Sequence, residues 1–112
     1  AIVWSDRRAI VEAEWLAERI TTEQARAWTG CTFVTGANQS SARFLWLKAH
    51  RPDDWARCAA VVQPKDFVAG RLTGQIATDV NSALGLLNPR TGRYATELLA
   101  LLGIEPEKMP PV

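Results

Sequence analysis

The sequence predicts an α/β chain that is helix-rich and carries only a few short strands. Three observations predict it. Apolar residues recur at helical spacing in several windows, each opened by a capping residue or a proline and closed by a glycine or a proline. Strand-like runs are brief, at residues 1–4, 59–62 and 85–87. Three strands of that length cannot make a self-sufficient sheet, so they are expected as edge elements beside other structure.

Residues 1–4 come first, Ile2 and Val3 being strong strand formers. A helix is expected over about 7–20 with Ser5 or Asp6 as N-cap. Ala9, Ile10, Ala13, Leu16, Ala17 and Ile20 share one face of it, while Glu12, Glu18 and Arg19 occupy much of the other. Thr21 and Gln24 have capping-box spacing and open a second, short helix that stops before Gly30. Residues 31–39 contain Gly36 and Asn38, show no helical period and read as a loop. Ser40 or Ser41 caps a third helix to about His50, burying Phe44, Leu45 and Leu47 with Trp46 flanking.

Pro52 disfavours helix at Arg51 and can open a further turn over 53–58. Residues 59–62, just before Gln63-Pro64, are most economically a strand, and Pro64 then opens a helix through Leu72 that Gly74 ends. Thr78 and Asp79 cap one helical turn through Ala83. Gly85, Leu86 and Leu87 form a strand leading into a turn at 88–92. A last helix covers 94–102 and stops at Gly103. The tail from Glu105 carries three prolines and reads as an ordered turn or an exit linker.

Length and composition bound the class. A chain of 112 residues is one domain or a piece of one, and it begins inside a strand pattern, as a segment of a longer chain would. Five Trp and three Phe supply bulk for a real core, although a domain of this size buries only roughly two-thirds of its unfolded surface. Net charge is +1 with the signs interspersed, so no basic stripe exists to bind nucleic acid or an anionic membrane. The longest apolar runs are too short to span a bilayer, and no secretory signal pattern is present. Cys31 and Cys58 are isolated thiols without C-x-x-C spacing. Reduced, buried cysteines in a cytoplasmic protein are expected, with a disulfide left open.

The opening octet, Ala1-Ile2-Val3-Trp4-Ser5-Asp6-Arg7-Arg8, carries the chemistry. An aromatic face beside paired charges suits a small polyhydroxylated ligand, whose C–H surface stacks on the ring while its hydroxyls meet the charged groups. The octet resembles the W-x-D-x-R segment of the FGGY carbohydrate kinases, the ATP-dependent sugar and polyol kinases. Four more blocks follow in the family's order. Residues 44–52, FLWLKAHRP, resemble its K-L-L-W-L-K-x-H-x-P helix end, and residues 63–74, QPKDFVAGRLTG, its P-K-D-Y-L-x-x-x-L-T-G segment. Residues 76–83, IATDVNSA, resemble A-T-D-x-S-x-A, and residues 99–112 the close L-L-x-x-L-G-I-x-x-x-x-L-P-x-V. Each block is weak alone; five in order, covering nearly the whole chain, are specific.

The resemblance implies a helix-rich segment of an actin-like, ribonuclease-H-like N-terminal kinase domain, with residues 1–112 as the C-terminal part of that domain. It implies a parent that phosphorylates a hydroxyl of a sugar or polyol, a xylulose-like ketose being favoured, with ATP and Mg²⁺ in the parent and neither bound by this segment alone. The family's D-x-G-T phosphate loop, its G-x-x-D segment with the catalytic aspartate and its adenosine motifs have no counterpart here, so no catalytic residue is expected. Trp4 matches the tryptophan that lies against the substrate's carbon chain; Asp6 and Arg8 match the acid and the second basic residue of the same motif. Against these stand an ordinary core tryptophan, and an N-cap with a local ion pair. Asn38 lies in the loop that borders the sugar pocket in relatives. There the chain departs from the D-P-Y-F-type stretch of glycerol kinases, with Thr35-Gly36-Ala37-Asn38-Gln39 and about two extra residues, which favours a sugar over glycerol.

Lys65 and Asp66 fall in the first turn of a helix, where a carboxylate complements the dipole, and read as structural; Asp79 reads as a cap. His50 is the only histidine, so a His-dependent triad or a His-based metal cluster lacks parts. No glycine-rich phosphate loop is present, Gly70 and Gly74 being too far apart and on the wrong element. The expected partners are a sugar or polyol substrate and the remainder of the kinase chain, with a homodimer as a further assembly. The alternative is a catalytically inactive binding or oligomerisation module of the same fold, with Trp15, Trp28 and Trp55 as contact anchors.

Overall fold

Caps, prolines and glycines set where each element starts and stops in residues 2–112, which the computed structural model describes. Helix α1 spans Ile10–Ala17, α2 Thr22–Thr29, α3 Ser40–His50, α4 Pro52–Arg57 and α5 Pro64–Thr73. Strands β1 (Leu87–Asn88) and β2 (Arg93–Tyr94) precede α6 (Thr96–Leu102) and a 3-10 turn at Pro106–Lys108.

The second helix follows its local signals closely. Thr21 Oγ1 accepts from the Gln24 amide at 3.1 Å and Gln24 Oε1 accepts from the Thr21 amide at 2.9 Å, closing the box. Gly30 ends the helix at φ 70°, a backbone region that disfavours any side chain. Pro52 and Pro64 stand at the first positions of α4 and α5, where the missing N–H costs nothing.

Other expectations need correction. Residue 1 lies outside the described residues, and residues 2–4 are not a strand, because the Val3 carbonyl turns inward to accept the Asp6 amide at 3.0 Å. The first helix begins at Ile10 rather than near Arg7, and neither Ser5 nor Asp6 is its N-cap. The Asp6 carboxylate instead takes the Arg8 amide at 2.9 Å and Arg8 Nε at 2.8 Å, closing a turn two residues on. Its buried face is narrower than the apolar pattern, with Ala9, Ala13, Leu16 and Ile20 inside and Ile10 and Ala17 exposed. Among the described residues, 59–62 form no ladder; Val61 N donates to Lys108 O of the tail at 2.9 Å. Ser41 does not cap α3; its hydroxyl donates to the Val34 carbonyl inside the core.

The third strand shrinks to Leu87–Asn88 and pairs antiparallel with Arg93–Tyr94, Leu87 facing Tyr94 and Asn88 facing Arg93. The turn between them is the expected one, with Asn88 Oδ1 accepting the Arg90 amide at 3.0 Å. The described fold is therefore helix-rich with one small two-stranded sheet.

Leu16, Val34, Leu98, Leu99 and Leu102 are wholly buried and, with Leu86 just before the hairpin, join α1, the 31–39 loop and α6 in one core. Helix α3 packs between α1 and α4 and also touches α6. The end of α6 is held by a side chain from α3: Lys48 Nζ donates to the Leu102 carbonyl at 2.8 Å and to the Gly103 carbonyl. Helix α5 is turned the other way, burying Asp66 and Gly70 while Phe67, Val68 and Leu72 are exposed. Among the described residues no helix is long and apolar enough to cross a membrane. Cys31 and Cys58 are unbonded and half-buried.

Candidate functional site

Residues 2–9 belong to no helix or strand, so side chains and turns alone hold the segment that presents Trp4, Asp6 and Arg8. Asp6 binds Arg8 through both carboxylate oxygens. Oδ1 accepts the Arg8 amide, and Oδ2 accepts Nε at 2.8 Å and Nη2 at 2.7 Å. The side-chain bond to Arg8 is the chief reason the Asp6 carboxyl lies below its ordinary value of 3.8, and Asp6 in turn raises Arg8. The Arg8 guanidinium lies 4.9 Å from the Trp46 ring centroid, and the His50 ring stacks on Trp46 at 4.7 Å and 13°. His50 also sits with Nδ1 3.0 Å from the Trp46 carbonyl, in the last turn of α3.

Trp4 is 80% exposed. Among the described residues nothing covers its ring. Arg7 is exposed beside it.

Asn38 is exposed in the 31–39 loop, where its Oδ1 accepts weakly from Gln39 Nε2 at 3.4 Å. Among the described residues no hydrogen bond joins it to Trp4, Asp6 or Arg8. The structure therefore joins Asp6 to Arg8, leaves Trp4 beside them by chain contiguity alone, and keeps Asn38 on its own loop, just before the start of α3.

Two residues at this segment carry no signal in the apolar pattern. Arg43 Nη2 donates to the Val3 carbonyl at 2.8 Å, and Trp46 carries Arg8. Both stand on α3, three residues apart. Periodicity marks Trp46 only as flanking and Arg43 not at all, because their partners lie about forty positions earlier in the chain.

A groove of about 680 Å³ runs beside α3, α4 and α5, lined by Ile2, Phe44, Trp55, Val61, Phe67 and Tyr94 among others. None of Trp4, Asp6, Arg8 and Asn38 lines it, and its wall is mainly apolar.

Lys65, Asp66 and Asp79 come together as a clamp between α5 and the 78–83 turn. Lys65 Nζ bridges Asp66 and Asp79, the latter at 2.6 Å, and Thr78 Oγ1 donates to Asp66 Oδ2 at 2.7 Å. Burial pushes the Asp66 carboxyl up, but Lys65, Thr78 and the Gln63 amide outweigh it and hold it below 3.8. Lys65 and the Ser82 amide and hydroxyl lower Asp79 to about 2. The oxygens of Asp66 are taken within this group and Lys65 ties Asp66 to Asp79, which fits the structural reading.

Comparison with known proteins supplies the frame. The family model described as the FGGY family of carbohydrate kinases, N-terminal domain, matches residues 1–112. The chain is 29% identical to the xylulose kinase of Staphylococcus xylosus, covering 100% of this chain and 23% of that protein. It is 32% identical to the autoinducer-2 kinase of Salmonella typhimurium, over 96% of this chain and 21% of that one. The crystal structure of xylulose kinase from Rhodospirillum rubrum superposes with a TM-score of 0.86 at 29% identity, over 97% of this chain and 23% of that one. The chain thus spans less than a quarter of the length of these relatives.

Proposed function

The chain belongs to the FGGY family of carbohydrate kinases, and from that premise we propose that it forms the C-terminal part of the N-terminal domain and one wall of the sugar pocket. The reaction proposed for the whole protein is transfer of the ATP γ-phosphoryl group to a hydroxyl of a sugar or polyol, with a xylulose-like ketose favoured.

The observation that carries this reading is an indole left 80% exposed on a segment whose neighbours are fixed. Such a ring can shield the C–H face of a sugar, and its N–H can hold one hydroxyl. Asp6 and Arg8 add polar capacity beside it. Oδ1 of Asp6 has given one acceptor site to the Arg8 amide and keeps a second, and Arg8 keeps N–H donors beyond those aimed at Asp6. A hydroxyl arriving at this pair finds a donor and an acceptor already oriented. Asn38 would supply a further amide from its loop, and its polar surroundings suit a sugar better than glycerol.

ATP and Mg²⁺ belong to this chemistry through the family. Among the described residues no three His, Cys, Asp or Glu side chains gather as a cation site, and the chain has no glycine-rich phosphate loop. These residues do not fit the nucleotide or the ion, so no step is derived through either. What the chain contributes is positioning: one face of the sugar held, and water kept from that face.

The test is a phosphorylation panel with ATP, run on the gene product that contains residues 1–112, over pentuloses, hexonates and polyols. Turnover of a ketopentose with the highest kcat/KM is expected. If no sugar or polyol is phosphorylated while the protein self-associates, the inactive-module alternative takes its place.

A further inference from the structure

Helix α3 grips the opening segment at two points on one face. Arg43 Nη2 donates to the Val3 carbonyl at 2.8 Å, and three residues on, the Trp46 ring meets the Arg8 guanidinium at 4.9 Å. Val3 precedes Trp4 directly and Arg8 follows it by one turn of chain. Between the two anchors, the Asp6 amide donates to the same Val3 carbonyl at 3.0 Å, so one acceptor ties Arg43 and Asp6 together. Trp4 has no ladder or helix to hold it, and its own ring is mostly free. The direction of its Cα–Cβ bond is therefore set by the backbone on either side of it.

We infer that Arg43 is a positioning residue that sets the direction in which Trp4 is presented to the sugar, with the Arg8–Trp46 contact as its counterpart beyond the ring. The inference rests on the reading of Trp4 as a pocket wall and adds the residue that makes the wall rigid. Arg43 is suited to this role because it is half-buried, with its Nε covered and without a partner among the described residues while its Nη2 reaches out to Val3. A guanidinium whose stem is packed on α3 reaches the Val3 carbonyl with little further loss of freedom. The gain is preorganisation. A ring already aimed loses less freedom when the sugar arrives.

Labelling the gene product that contains residues 1–112 with 5-fluorotryptophan gives one fluorine resonance for each tryptophan, and the five within this segment are assigned through single Trp→Phe variants. Arg43→Met keeps the volume and removes the donor; Arg43→Gln keeps polarity but is too short to reach Val3. Either is expected to shift and broaden the Trp4 resonance and to speed exchange of the Asp6 amide about tenfold. Trp15, Trp28 and Trp55 should hold their positions. Arg43→Lys, which keeps a cation and one donor, should restore the native Trp4 signal. An unchanged Trp4 resonance and Asp6 exchange rate in the Met and Gln variants would overturn the proposal. So would loss of all five resonances together in both, which makes Arg43 a folding residue only. Adding D-xylulose to the unsubstituted gene product that contains residues 1–112 reads the underlying assignment separately. A shift at Trp4 supports the wall, and its absence removes the wall while leaving the clamp result standing.

Discussion

Trp4 and Asp66 show how differently one segment of chain and another treat a reactive-looking side chain. Asp66 is 3% exposed, yet its oxygens are taken by Lys65, Thr78 and the Gln63 amide, so it has nothing left for a ligand. Trp4 has its whole face free. The first is recognisable in sequence as a first-turn carboxylate; the second only through the motif around it. The clamp predicts a pH response. Asp79 takes up its proton near 3.8 in an unfolded chain and near 2 in the folded one. Its contribution to stability is therefore intact above about pH 4 and is lost as pH falls towards 2. Thermal melting of the chain should be flat above pH 5 and fall between pH 4 and 2. Asp79→Asn should lower the neutral-pH midpoint and shrink that fall, and an unreduced fall would show that Asp79 is not part of it. Asp66→Ala leaves Lys65 and the Thr78 hydroxyl without their shared partner. It should cost on the order of 2 kcal/mol in urea unfolding at pH 7.

Helix α2 was legible at both ends because everything that defines it is local: Thr21, Gln24 and Gly30 lie within one short window. Thr21→Ala should accordingly cost about 1 kcal/mol of stability in urea unfolding. Helix α1 was legible in existence but not in extent. Asp6 was a sound N-cap by type, but Arg8, two residues on, supplied closer donors than a helical turn could, and the helix began at Ile10 instead. Residues 59–62 looked like a strand because an apolar run says nothing about whether a partner strand is present; among the described residues their backbone partner is the tail at Lys108. The bond from Lys48 to the end of α6 spans 54 residues and leaves no trace in any window. Lys48→Met keeps the apolar stem over Trp55 and removes the donor to the Leu102 and Gly103 carbonyls. A loss on the order of 2 kcal/mol is expected, read from the urea midpoint at constant slope; no loss would show that α6 does not depend on α3 for its cap.

Across the whole molecule, the tail closes the structure. Tyr94 Oη donates to the Pro110 carbonyl at 2.8 Å, Thr78 N to the Pro111 carbonyl at 2.9 Å, and Val61 N to the Lys108 carbonyl at 2.9 Å. Of the two readings of the proline-rich tail, an ordered turn or an exit linker, the first is the one seen: it straps across Val61, Thr78 and the hairpin at Tyr94. The family and the helix-rich class were legible because five blocks survive in order. Of the candidate site, the contiguous Trp4, Asp6 and Arg8 were legible, while Arg43 and Trp46 were not, because only the fold brings α3 to the opening segment. The central claim is that this segment is a wall of a sugar site, and steady-state kinetics of Trp4→Ala in the gene product that contains residues 1–112 test it most directly. With ATP saturating and D-xylulose varied, KM for the sugar should rise about tenfold, the loss of roughly 1.4 kcal/mol of stacking, while KM for ATP stays unchanged. An unchanged sugar KM and kcat in a folded Trp4→Ala protein would contradict the account.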